Sequence, residues 1–183
     1  MYPCDRIRDI SILLSEMNKL DIGWFSFTCC EDSTIIFTEL LNKHYETWNK
    51  VLNFKHVRVL KQQNKDGPFD VSFIEGAISS DKQAARAKEI RNQSKYIVAI
   101  GACAVMGMPS SQRNQFTAAQ NAEIQFLLDR FNYNDKVLRV EDVIKVDFRV
   151  PGCPMNEKIF LQTIDQLISK IRLDLARSER SSL

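Results

Sequence analysis

Along the chain, stretches with apolar residues at helical spacing alternate with short, continuous apolar runs. In residues 5–20 (DRIRDISILLSEMNKL), Ile7, Ile10, Leu13, Leu14 and Met17 fall at helical intervals among Arg8, Asp9, Glu16 and Lys19, which predicts an amphipathic helix. Residues 21–27 (DIGWFSF) are short, apolar and aromatic, the pattern of a buried strand. Residues 33–52 read as a helix with Ile36, Leu40, Leu41, Tyr45, Trp48 and Leu52 on one side. Residues 54–60 (FKHVRVL) alternate apolar and basic positions, as in a strand near a sheet edge, and 61–68 form a polar turn around Asp66-Gly67-Pro68. A second inner strand is expected over 69–74 (FDVSFI), followed by Glu75-Gly76-Ala77, and a helix over 79–93. Residues 95–100 (KYIVAI) give the clearest strand, running into Gly101-Ala102-Cys103 and a loop. Then come a helix over 117–132, a strand-like stretch over 138–150 stopped by Pro151-Gly152-Cys153-Pro154, and a final helix over 156–175.

Strands alternating with helices predict an α/β domain with a mainly parallel sheet. The expected layout is an N-terminal helix over 1–20, one α/β domain over 21–175 and a polar tail over 176–183. Within 183 residues a core can be buried without disulfides, but two full domains do not fit. The 25 Lys and Arg residues stand against 23 Asp and Glu. The surplus of two lies in the last fifteen residues, so no basic stripe is left to follow a nucleic-acid backbone. No apolar run is long enough to span a bilayer, and the first residues lack the apolar segment of a secretory signal. A cytoplasmic, reducing setting is therefore expected, and the odd count of five cysteines agrees with it.

Position makes those cysteines informative. Three strand-like runs end in a cysteine turn: 21–27 into Cys29-Cys30, 95–100 into Cys103, and 138–150 into Cys153. A fourth run, 69–74, ends in Glu75-Gly76. In a parallel sheet all four turns project to the carboxyl edge, where ligands collect. Four thiolates converging there hold either a zinc ion or a [4Fe–4S] cluster. Zinc usually takes tight Cys-x-x-Cys knuckles, which are absent, and adjacent Cys29 and Cys30 better suit the separate corners of a cluster. Gly101 and Gly152 flank two of the ligands and allow close backbone approach. Cys4 lies outside the pattern, and His44 and His56 have no cysteine or acid at ligand spacing.

In this order and spacing, FTCCEDS, IEGAISS, AIGACAVMGMP and VPGCP resemble the electron-transfer small subunit of [NiFe] hydrogenases and the 20 kDa subunit of respiratory complex I. The resemblance covers about residues 21–170. It implies a flavodoxin-like three-layer α/β/α fold and one proximal [4Fe–4S] cluster on Cys29, Cys30, Cys103 and Cys153. It also implies Glu31 and Glu75 beside the cluster, in a proton path or hydrogen-bonding loop amides. Most hydrogenase small subunits carry Cys-x-x-Cys where this chain has Phe27 and the tandem Cys29-Cys30, a tandem like that of the complex I branch. The stretches EDSTIIFTELL and GACAVMGMPSSQRNQF are closer to soluble, cofactor-linked hydrogenases.

The implied partners are a hydrogenase large subunit carrying the nickel–iron centre and a further iron–sulfur or flavin subunit. With no cysteine after Cys153, a single cluster of this kind is expected. In flavin-containing relatives the loop bearing Arg113 and Asn114 lies near an FMN. The other implied function is that of a complex I-like subunit serving a quinone or membrane module. A flavodoxin-like module with zinc, or with no metal, is the third reading.

Overall fold

A computed structural model describes residues 19–181. Five strands form one sheet: β1 (Leu20–Ser26), β2 (Leu52–Val57), β3 (Phe69–Glu75), β4 (Ser94–Ile100) and β5 (Phe148–Val150). Their spatial order is β2-β1-β3-β4-β5 and every pairing is parallel. This is the flavodoxin-like order of a doubly wound sheet. The helices are α1 (Asp32–Val51), α2 (Asp81–Asn92), α3 (Gly101–Met106), α4 (Ala118–Phe131) and α5 (Glu157–Ser181).

The inner strands are apolar on both faces because both faces are covered. On one face Ile22, Trp24, Phe73 and Val98 pack against Phe37 and Trp48 of α1 and Phe160 and Leu167 of α5. Trp24 stacks on Phe37 with ring centroids 4.3 Å apart, and Phe160 sits edge-on to it at 6.0 Å. On the other face Phe25, Ile74, Ile97 and Ala99 meet Ala87 and Ile90 of α2, Ala104 of α3, and Val140, Ile144 and Val146. The crossover from β2 to β3 has no helix; residues 58–68 are a loop held by Asn64, whose Oδ1 accepts the Val57 amide at 2.7 Å.

Several elements differ from expectation. The helix expected over 5–20 lies outside the described residues except at its end, where Leu20 already belongs to β1. The edge strand starts at Leu52, because α1 passes directly into extended backbone there and Leu52 pairs with Leu20. The turn expected after β4 is the short helix α3, closed by the Gly107 amide bonding the Cys103 carbonyl at 3.0 Å. Of the strand-like stretch 138–150, only Phe148–Val150 pairs. Residues Val140–Asp142 form a 3-10 turn in which Asp142 accepts the Arg139 amide at 2.9 Å. The apolar positions of 140–146 fill the second face of the core without joining the sheet. The last helix runs to Ser181 and takes in most of the expected tail.

Candidate iron–sulfur site

The expected cysteine positions follow directly from the parallel sheet. Cys29 and Cys30 follow β1, Cys103 lies in the first turn of α3 after β4, and Cys153 follows β5. All four line one cleft at the carboxyl edge, together with Ser33, Glu75, Gly101 and Gly152. Cys103 is buried, Cys29 is half-buried, and Cys30 and Cys153 are exposed, so the cleft opens outward. Among the described residues, no three His, Cys, Asp or Glu side chains are gathered as a single metal ion requires. The cleft's donor set, four thiols with no histidine, is one that either zinc or a [4Fe–4S] cluster accepts.

The loops are fixed independently of any metal. The Phe27 amide bonds the Glu75 carbonyl at 2.8 Å, and Thr28 and Ala77 exchange bonds of 3.0 and 2.9 Å. Ser110 Oγ stands 3.0 Å from the Thr28 carbonyl and 3.2 Å from Cys103 Sγ, one hydroxyl serving both. The Ala102 amide donates to the Gly152 carbonyl at 2.7 Å, joining the Cys103 and Cys153 loops. Gly152 has φ +118°, and a Cβ there would lie 2.5 Å from the Pro154 carbonyl oxygen. The glycine is required for the turn and for loop-to-loop packing as well as for access to the cleft.

Glu75 and Glu31 separate in the structure. Glu75 is 3% exposed. Its Oε1 accepts the Ser33 amide at 3.0 Å and its Oε2 accepts the Thr34 hydroxyl at 2.6 Å. Thr34 Oγ1 in turn accepts the Trp24 indole N–H at 2.8 Å. Burial pushes the Glu75 carboxyl above its ordinary value, and the Thr34 and Ser33 donors pull it partly back. Glu31 instead adopts left-handed backbone (φ 64°) just before α1 and lines a neighbouring cleft with Trp24, Ser26 and Arg58. Burial, and after it the Glu75 carboxylate, pushes the Cys29 thiol up to about 12. The bare thiol is thus protonated at neutral pH, and a bound metal must displace its proton.

Pattern reading passed over three residues. Ser33 lines the cleft, and its Oγ accepts the Met155 amide at 3.3 Å, tying α1 to the Cys153 loop. Thr34 completes the Trp24–Glu75 chain, and Ser110 bonds Cys103. Their one signal is adjacency to the cysteine and acid turns. Arg113 and Asn114 are engaged elsewhere: Arg113 donates to the Asn134 carbonyl at 2.6 Å, and Asn114 exchanges two bonds of 2.8 Å with Val137. His44 stacks on Trp48 and His56 on Phe25, both away from the cysteines.

Known proteins resemble this chain in sequence and in fold. The family described as NADH ubiquinone oxidoreductase, 20 Kd subunit, matches residues 29–167. The delta subunit of the NAD-reducing hydrogenase HoxS of Cupriavidus necator is 27% identical over 59% of this chain and 59% of its own length. One subunit of the F420-non-reducing hydrogenase of Methanothermobacter thermautotrophicus is 29% identical over 58% of this chain and 39% of its own. The delta subunit of sulfhydrogenase 2 of Pyrococcus furiosus is 26% identical over 80% of this chain and 61% of its own. The chain therefore spans less than two thirds of the length of these relatives. Among solved structures, an NAD+-reducing [NiFe]-hydrogenase in its H2-reduced state superposes with a TM-score of 0.72 at 21% identity, over 84% of this chain and 93% of the other, which shows the shared fold. The family match runs from the first cleft cysteine to the middle of α5, and on it the chain belongs to the family of the NADH ubiquinone oxidoreductase 20 kDa subunit.

Proposed function

We propose that this chain is the iron–sulfur small subunit of a [NiFe] hydrogenase in the cytoplasm. It relays electrons between a catalytic large subunit and a further iron–sulfur or flavin carrier. The observation that carries the reading is that four cysteines from three separate strand ends line one cleft. The hydrogenase names of the relatives add support. A single [4Fe–4S] cluster on Cys29, Cys30, Cys103 and Cys153, when bound, supplies storage and transfer of one electron at a time.

The chain's own residues do the rest. Cys103 anchors the buried side of the cleft, and the Ser110 hydroxyl bonds its sulfur. Such bonds to sulfur tune a cluster's potential. Glu75 holds the start of α1 by the Ser33 and Thr34 bonds and so fixes the tandem cysteines before it. The open side, with Cys30 and Cys153, faces the large subunit, whose docking excludes water from the cleft. Among the described residues no helix is long and apolar enough to cross a membrane.

The second reading, a complex I-like subunit serving a quinone site, is favoured by the tandem Cys29-Cys30 and by the family match. Co-purification with the large subunit under anaerobic conditions separates the two. A partner with two Cys-x-x-Cys pairs, and cluster absorbance that bleaches under hydrogen gas, is the expected result. A partner lacking those pairs, with absorbance indifferent to hydrogen, overturns the hydrogenase reading in favour of the second.

A further inference from the structure

The rest of the molecule scarcely covers α4, a helix of 14 residues. Leu128 is its one fully buried side chain, and Asn121 and Ile124, on the same side, are half-buried. A helix this short draws most of its stability from the packing of an apolar face. In α4 much of the apolar surface lies on the other side. At about 100° per residue, Ala119, Ala122 and Phe126 fall away from Leu128. All three are exposed, Phe126 by 64%. Leu127 beside them is exposed too, as is Phe116 just before the helix. An apolar strip of this kind marks contact with another surface. None of these residues lines the cysteine cleft, so the strip is separate from the open side at Cys30 and Cys153.

The charges beside the strip are arranged for a copy of the same helix. Glu123 and Arg130 stand two turns apart and share one flank of it. Neither makes an ion pair or hydrogen bond among the described residues, and Arg130 rests over its own chain's Phe131 ring at 5.9 Å. Asp129 lies on the opposite flank, where Gln125 donates to it at 3.0 Å. In an antiparallel pair centred between Phe126 and Leu127, Glu123 of each copy comes level with Arg130 of the other. Like charges are then about 10 Å apart along the axis. A parallel pair would instead set Glu123 against Glu123 and Arg130 against Arg130. In the antiparallel pair Phe126 meets its own copy at the centre, and the small Ala119 and Ala122 let the backbones approach. We propose that α4 is a self-association face, on which a second copy of this chain docks antiparallel about a two-fold axis at Phe126. The pairing leaves the cysteine cleft free and does not depend on the iron–sulfur reading. One helix pair is a small interface, so a dissociation constant of about micromolar order is expected.

The test is sedimentation velocity of the anaerobically purified full-length chain, alone and with its large subunit, from about 1 to 100 µM. A reversible two-fold association is expected in both samples. Glu123→Arg and Arg130→Glu should each weaken it about tenfold or more while melting temperature stays unchanged. An equimolar mixture of these two variants should associate about as tightly as the unaltered chain, because every facing pair is again of opposite charge. Phe126→Glu should leave only the unassociated form. A chain that stays monomeric up to about 100 µM would overturn the proposal. So would a dimer indifferent to these substitutions, or a mixture of the two charge variants that fails to associate. Loss of the large subunit from the Phe126→Glu chain would assign the face to that partner and equally overturn the proposal.

Discussion

At the scale of single residues, the site depends on backbone as much as on sulfur. Gly152 holds φ +118°, and a Cβ there would lie 2.5 Å from the Pro154 carbonyl oxygen. Gly152→Ala is therefore expected to cost about 1–3 kcal/mol in denaturant unfolding, with displacement of the Cys153 loop. An unchanged midpoint would show that the turn relaxes without strain. His56 gives a separate, pH-dependent signature. Its imidazole is held below the ordinary 6.5, first by burial and further by Arg86 and Arg58, against the Lys65 carbonyl and Asp66. The fold favours the neutral ring, so its contribution to stability is present above about pH 6.5 and is lost as pH falls through the lower folded value. Its Nδ1 is buried with no partner among the described residues. His56→Phe should keep the stack on Phe25 and lessen the fall in melting temperature between about pH 7.5 and 5. An identical fall in both proteins would count against this account.

At the scale of elements, the decisive contact lies between the end of β3 and the start of α1. Glu75 satisfies the Ser33 amide and the Thr34 hydroxyl in a buried setting, and Thr34 satisfies Trp24. Glu75→Leu leaves those donors unmet and should destabilise the protein by about 1–3 kcal/mol. Hydrogen exchange should rise at the first turn of α1. Glu75→Gln can still accept one bond and donate the other, so it should retain most of the stability. If the two variants unfold alike, the hydrogen bonds are not what Glu75 contributes. This pairing was only half legible in the sequence. The turn Glu75-Gly76 stood out, but its partner, Ser33, is 42 residues away and carries no periodic signal of its own. The four cysteines were legible because each follows a strand, and strand ends in a parallel sheet share an edge. The stretch 138–150 misled because Val140, Ile144 and Val146 alternate like a strand while packing from a 3-10 turn and coil. Apolar periodicity reports burial, and backbone pairing has to be found from the partner strand.

At the scale of the whole molecule, the all-parallel sheet explains why one small chain can gather distant thiols. Strand order β2-β1-β3-β4-β5 sets the loops after β1, β4 and β5 around the turn after β3, so Cys29, Cys103 and Cys153 meet despite their separation in sequence. The two-sided core supports this edge: aromatic packing of Trp24, Phe37, Phe73 and Phe160 stiffens the β1 and β3 ends on which the site is built. Phe160, fully buried, touches this cluster from α5, so Phe160→Ala should cost about 3–5 kcal/mol in denaturant unfolding. A cost under about 1 kcal/mol would mean that α5 contributes little to the sheet's support. On the same carboxyl edge, beside β1 and β2, a cleft lined by His56, Arg58 and Arg86 lies where the β2–β3 crossover has no helix to cover the sheet.

The most direct measurement for the central claim is iron and acid-labile sulfide content, with EPR of the reduced protein, on the anaerobically isolated chain and its cysteine variants. Four irons and four sulfides per chain, as a [4Fe–4S] cluster holds, and a reduced-cluster EPR signal are predicted for the unaltered protein. Cys29→Ser, Cys30→Ser, Cys103→Ser and Cys153→Ser should each lower iron content, and Cys4→Ser should not. A colourless protein without iron, or full cluster content after loss of Cys29 or Cys30, would contradict the assignment of these four thiols.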